Sequence, residues 1–168
     1  MKRILLFALA QIAVGCVDAE QSEIPSDGLA QVAPSASCVD LTVGSPFEDL
    51  RTCAEQGHAG VQYNLGVMYD SGRGITEDDA EAVRWYRLSA EQGHVGAQYN
   101  LGVMYASGEG VPEDIVLAYM WWNVAAAQGE EDAQRLKDIT EEEMTREQIT
   151  EAQRLSREWI EEHPPGGN

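Results

Sequence analysis

Positive charge is scarce in this chain: 11 Lys and Arg stand against 29 Asp and Glu, a formal net charge of −18 over 168 residues. So negative a molecule repels phosphate backbones and anionic headgroups, and no basic cluster beyond Lys2 and Arg3 reverses this locally, which argues against nucleic-acid and membrane-surface binding. Histidine and cysteine are scarce as well, with three of each. Dispersed along the chain, they do not form the compact set of about four ligands that zinc needs. No apolar run reaches the roughly 20 residues of a spanning helix. A Ser-x-x-Lys nucleophile is missing, because Gln134 stands three positions before Lys137. The hydrophobic share of 43% is still ample for the core of one small domain and excludes wholesale disorder.

The N-terminus reads as an export signal over residues 1–19: Lys2 and Arg3 precede the apolar run Ile4 to Gly15, and small residues follow. Two processing routes compete. Val17-Asp18-Ala19 suits an ordinary signal peptidase, whereas Ala13-Val14-Gly15-Cys16 resembles a bacterial lipobox, in which Cys16 would be lipidated. Either cut leaves Cys38 and Cys53 as an even pair in an oxidising compartment, so a disulfide is the simplest expectation, with two free thiols as the alternative. A bridge would close a loop of about fifteen residues, worth about 3 kcal/mol in the chain-entropy model. Residues 20–45, rich in Ser, Pro, Gly and Asp, read as a flexible tether, ordered at most where Cys38 pins it.

The most informative feature is an internal repeat. Residues 54–71 read AEQGHAGVQYNLGVMYDS and residues 90–107 read AEQGHVGAQYNLGVMYAS, a shift of 36 positions. The match continues through Gly72-Arg73-Gly74 and Gly108-Glu109-Gly110, the Glu-Asp pairs at 77 and 113, and Trp85 and Trp121. A third, decaying copy begins at Ala126-Ala127-Gln128-Gly129 and keeps Ala133-Gln134; upstream, Arg51-Thr52-Cys53 ends a truncated unit. Repeats of this length signal stacked arrays whose units bury their apolar faces on one another. Each unit reads as two helices. Val61, Leu65, Met68 and Tyr69, like Ala97, Leu101, Met104 and Tyr105, form one apolar face of a first helix. The following glycines end it, and Asp78 and Asp114 are placed to cap the second helix, with Glu81 positioned as in a capping box. Trp85 and Trp121 are expected to anchor second helix against first, and Gly57, Gly93 and Gly129 to close the second helices.

The AEQG, LGVMY, GxGI or GxGV, ED and W positions resemble the Sel-one-like repeat, a relative of the tetratricopeptide repeat. The likeness covers about residues 50–136. It implies an all-α fold, an α/α superhelix of short helix-turn-helix repeats, serving as a protein-interaction scaffold and often exported in bacteria. On this reading 54–89 and 90–125 are full repeats within a domain spanning 46–163. Residues 145–162 resemble the terminal cap of exported members. Independently, Thr145 and Gln148 suit a capping box, Met144 and Ile149 a hydrophobic staple, and Ile149, Ala152, Leu155, Trp159 and Ile160 one apolar face covering the end of the stack.

The resemblance implies that first helices line a concave side. Tyr63, Asn64 and Val67, repeated as Tyr99, Asn100 and Val103, would then form a stripe able to grip a peptide or helix. The competing expectation is that Tyr63 and Tyr99 pack on the adjacent first helix, with Gly66 and Gly102 allowing close approach. Tyr119 and Trp122 are expected in the core, and His58 and His94 as exposed turn residues. His163 falls near the frayed C-terminus. Gly72-Arg73-Gly74 lacks the following Lys of a phosphate loop, and Ala106 in place of Asp70 argues against a calcium loop. Exported cysteine-rich relatives suggest β-lactam binding or cleavage, but this chain lacks their Cys pair in every repeat. The expectation is therefore a non-enzymatic, cofactor-free scaffold, periplasmic or secreted or an outer-membrane lipoprotein, binding another protein that is basic or membrane-anchored. A cell-envelope enzyme or β-lactam binder of the same fold is the alternative. A regulatory subunit restraining a membrane sensor would differ from the scaffold only in its partner.

Overall fold

The tandem 36-residue pattern predicts paired helices of near-equal length, and the computed structural model shows them. It describes residues 37–164. The expected export signal, Cys16 and residues 20–36 of the expected tether lie outside the described residues. A 3₁₀ turn at Cys38–Asp40 leads into seven helices among the described residues: α1 (Phe47–Glu55), α2 (Ala59–Ser71), α3 (Asp79–Glu91), α4 (Val95–Ser107), α5 (Ile115–Ala127), α6 (Glu131–Glu143) and α7 (Arg146–Glu162). First helices α2 and α4 pack on second helices α3 and α5, and each second helix packs in turn on the first helix of the next unit. The truncated upstream unit supplies α1. The decaying third copy supplies α6, which begins and ends 36 residues after α4.

Local chemistry fixes the boundaries. Gly72 and Gly108 end α2 and α4 in the left-handed region at φ 63° and 74°, where a Cβ is disfavoured. Asp78 Oδ1 accepts the Glu81 N–H at 3.0 Å, and Asp114 Oδ1 accepts those of Val116 and Leu117. Glu81 does not close the expected capping box; its side chain pairs with Arg84 one turn on. Thr145 and Gln148 do form a capping box at the start of α7.

The central core joins Ala82, Val83, Tyr86 and Ala90 of α3, Ala97, Leu101 and Met104 of α4, and Met120, Trp121 and Val124 of α5. Trp85 belongs to the equivalent first-unit cluster with Leu65 and Met68 of α2, so both tryptophans anchor second helix to first. Tyr119 and Trp122 are buried. The glycines in the middle of the first helices correct one expectation. A Cβ on Gly66 would lie 2.6 Å from the Tyr86 ring, and one on Gly102 would lie 2.5 Å from the Trp122 indole. The close approach is therefore to an aromatic of the unit's own second helix, not to the neighbouring first helix.

Buried glutamines tie the units together. Gln62 donates to the Ala54 carbonyl at the end of α1 and accepts from Gln92 at the end of α3. One repeat on, Gln98 donates to the Ala90 carbonyl and accepts from Gln128. Each such amide joins three successive helices and adds a second donor to a helix-end carbonyl that also accepts the N–H of the closing glycine, Gly57 or Gly93.

At the N-terminal edge, Cys38 and Cys53 form a disulfide, Cα to Cα 5.6 Å. It pins a strap in which Leu41 is buried among Leu50, Val61 and Leu65. Cys53 occupies the repeat position of Ser89 and Ala125, all three fully buried, so the bridge uses a place already selected for a small side chain. At the other end α7 packs along α5: Ala152 joins Tyr119 and Met144, with Ile149 against them, and Leu155, Trp159 and Ile160 close on the central core. Trp159 meets Trp121 edge to face at 5.7 Å.

Candidate partner-binding surface

The first-helix layer carries the repeated stripe, and all six of its residues are half-buried. Their partners differ by position on the helix. Tyr63 faces the next unit: its ring stacks on His94 at 4.6 Å, and a Cβ on Gly96 would meet it at 3.2 Å. Asn64 faces the preceding unit and donates to the Leu41 carbonyl at 2.9 Å. Asn100 holds the equivalent position on α4, and its nearness partly offsets the raised pKa of the Tyr86 hydroxyl. That hydroxyl donates to Asp70 at 2.8 Å, and burial together with this carboxylate pushes it far above the ordinary tyrosine range. Leu50 stands in α1 where Tyr86 stands in α3, so Asn64 has no such hydroxyl beside it and takes the strap carbonyl instead.

Tyr99 and Val103 pack with Trp122, Ala118 and Ala125 of α5 and Ala133 of α6, while the Tyr99 carbonyl accepts the Trp122 indole N–H. Val67 packs against the central core. The tyrosines and asparagines thus use much of their surface between units. The valines touch these clusters and stay half-open to solvent.

One member of this face escapes a reading confined to the two full repeats. Ile139 of α6 lies 36 positions after Val103 and 72 after Val67, and it is 61% exposed. Arg135 replaces Tyr99 in the same register and pairs with Asp132. The signal was available in Ala133-Gln134, which set the register of the third copy. His94 also departs from expectation. It is half-buried, its Nδ1 accepts the Ala97 N–H at the start of α4, and burial lowers its pKa. His58 stays exposed and makes no such cap, because no aromatic from a preceding unit covers it.

A separate hollow of about 400 Å³ opens between α3, α5 and α7, with Met120, Trp121 and Trp159 in its wall and Arg87 and Glu91 at its rim. Arg87 is turned to the Tyr105 hydroxyl. Among the described residues no helix is long and apolar enough to cross a membrane, and no three His, Cys, Asp or Glu side chains come together as a metal site.

Comparison with known proteins agrees with this architecture. The Sel1 repeat family matches residues 59–94 and 95–130, each match opening at a first helix. The crystal structure of c5321, a protective antigen present in uropathogenic Escherichia coli strains and displaying an SLR fold, is similar over 71% of this chain at 35% identity and a TM-score of 0.69. This chain spans only 26% of that protein's length. A Sel1 repeat protein from Oxalobacter formigenes is similar at 43% identity and a TM-score of 0.53, over 54% of this chain and 68% of its own. No curated protein matches the chain. Sel1 repeats generally mediate protein–protein interaction. With its tandem units, its helix pairs and these relatives in agreement, the chain belongs to the Sel1 repeat family.

Proposed function

We propose that this chain is an exported adaptor that binds one protein partner on the open face of its first-helix layer. The observation that carries this reading is the row of apolar side chains which packing between units leaves half-open, one valine per full unit at Val67 and Val103. Such a face, set on rigid helices, offers contact area without an ordering cost on the scaffold side. The acidic body favours a basic partner and speeds encounter at low salt. The charged, apolar and small-residue order of the first 19 residues supports export to the periplasm or beyond. That one similar protein is a protective antigen is in keeping with such a location.

The test is crosslinking and pulldown from a cell-envelope extract with the wild type and with Val67→Asp plus Val103→Asp. Circular dichroism must first establish that both fold. A partner captured by the wild type and lost from the folded variant supports the adaptor. Equal capture by both removes the open face from consideration.

A further inference from the structure

The hollow between α3, α5 and α7 has a counterpart one repeat earlier, and the two differ in kind. In the earlier one Arg51 pairs with Glu55 at 2.9 Å, and Arg84 pairs with Glu81 and lies 4.5 Å over the Trp85 ring. Those four charges are matched within the chain. One 36-residue step on, Leu117 and Met120 replace Glu81 and Arg84, and Trp121 succeeds Trp85. An ion-paired surface has become the apolar floor of the hollow, which Trp159 of α7 extends. The docking of α7 accounts for Met120 and Trp121, which join the central core with Trp159. It does not account for Leu117, which is half-buried and belongs to none of the core clusters among the described residues.

The charges of the hollow are also arranged differently. Arg87 and Glu91 hold the repeat positions of Arg51 and Glu55 and line the hollow together. The Arg87 guanidinium donates to the Tyr105 hydroxyl at 2.9 Å instead of to Glu91. Neither Arg87 nor Glu91 has an ion-pair partner among the described residues. Two opposite charges thus stand one helical turn apart, unmatched, at the edge of an apolar floor.

With a volume of about 400 Å³ the hollow falls within the roughly 300–1,000 Å³ of small-molecule sites. Its charge pattern disfavours a ligand carrying one charge: a lone carboxylate is repelled by Glu91 and a lone ammonium by Arg87. A ligand with both charges close together and an apolar body matches all three features. We infer that the hollow binds an α-amino acid zwitterion with a bulky apolar side chain, its carboxylate on Arg87, its ammonium on Glu91 and its side chain on Trp121 and Trp159. This site is built on second helices and does not depend on the adaptor reading.

The experiment is isothermal titration calorimetry of the full chain with four probes. L-phenylalanine carries every feature; phenethylamine lacks the carboxylate, phenylpropionate lacks the ammonium, and glycine lacks the apolar body. The expected result is saturable binding of L-phenylalanine, about tenfold or more weaker binding of each single-charge analogue, and none of glycine. Arg87→Gln and Glu91→Gln, both at exposed side chains and checked for folding by circular dichroism, should each weaken L-phenylalanine by about tenfold. Arg87→Gln should leave phenethylamine no weaker, and Glu91→Gln should leave phenylpropionate no weaker. Arg51→Gln, at the equivalent but closed position, should change nothing. Absence of saturable L-phenylalanine binding overturns the site. Equal binding of either single-charge analogue overturns the zwitterion, and undiminished binding by Arg87→Gln overturns the placement.

Discussion

Gln98 shows how much one side chain holds here. Fully buried, it donates to the Ala90 carbonyl, which also accepts the Gly93 N–H, and accepts from the Gln128 amide, so truncation removes two hydrogen bonds from the joint between units. Gln98→Ala should destabilise the fold by about 1–3 kcal/mol. Gln134 holds the same register at the exposed surface of α6, where its side chain bonds only the nearby Asp138 and Lys137, so Gln134→Ala should fall within about 0.5 kcal/mol of wild type. Urea denaturation of the two variants checks the contrast. These glutamines were not legible as core: a polar residue in the first turn of a helix ordinarily faces water, and only its identical recurrence hinted otherwise. Asp78 and Asp114 were legible, because capping is decided within four residues. His94 lay between these cases. Its cap is local, but its burial comes from Tyr63, thirty-one positions away in sequence.

His94 also predicts a pH dependence. Its folded pKa is lowered by burial, so the unfolded chain binds the proton more readily. Its contribution is complete above the ordinary histidine value of about 6.5 and is lost as pH falls from there toward the lowered folded value. Protonation also removes the lone pair that accepts the Ala97 N–H. Melting temperature should therefore drop between about pH 7 and pH 5, and His94→Asn, which keeps a capping acceptor without a titrating ring, should flatten that part of the curve.

Among elements, the strap and α7 close the two ends of the array by different means. The strap is short and makes its hold with one disulfide, the apolar Leu41 and Val43, and one carbonyl. Cys38→Ser should cost up to about 3 kcal/mol and raise proteolysis within 38–46 while cleavage in α4 and α5 stays unchanged. The pairing could be expected from an even cysteine count. The burial of Leu41 could not, since nothing in a Ser- and Pro-rich stretch marks one aliphatic as a plug. Helix α7 was legible almost residue by residue, because its cap, staple and apolar face are all local patterns. Thr145→Ala should cost about 1 kcal/mol, read as a lowered melting temperature.

For the whole molecule, 29 acidic against 11 basic residues mean that folding gathers like charge. The ion pairs present, such as Arg51 with Glu55 and Arg154 with Glu151 and Glu158, are exposed and contribute little. Screening should therefore raise the melting temperature between about 20 and about 300 mM NaCl while it weakens capture of a basic partner, and a titration of both in the same salts separates the two effects. The architecture was readable from a period of 36 residues; which side chains stay open was not, because the same tyrosine that looks free on one helix is covered by the helix that follows.

The glutamine ladder bears on how such a chain can lengthen. Each 36-residue block brings an amide that reaches back to the previous helix end, a second amide that donates to the first, and the carbonyl that the next block will need. A block copied in tandem therefore arrives with its joints already matched on both sides. The near-identity of residues 54–71 and 90–107 is what an array that grew by such copying would retain, whereas the end units, freed from joining a neighbour, have drifted toward plugs, bridges and caps.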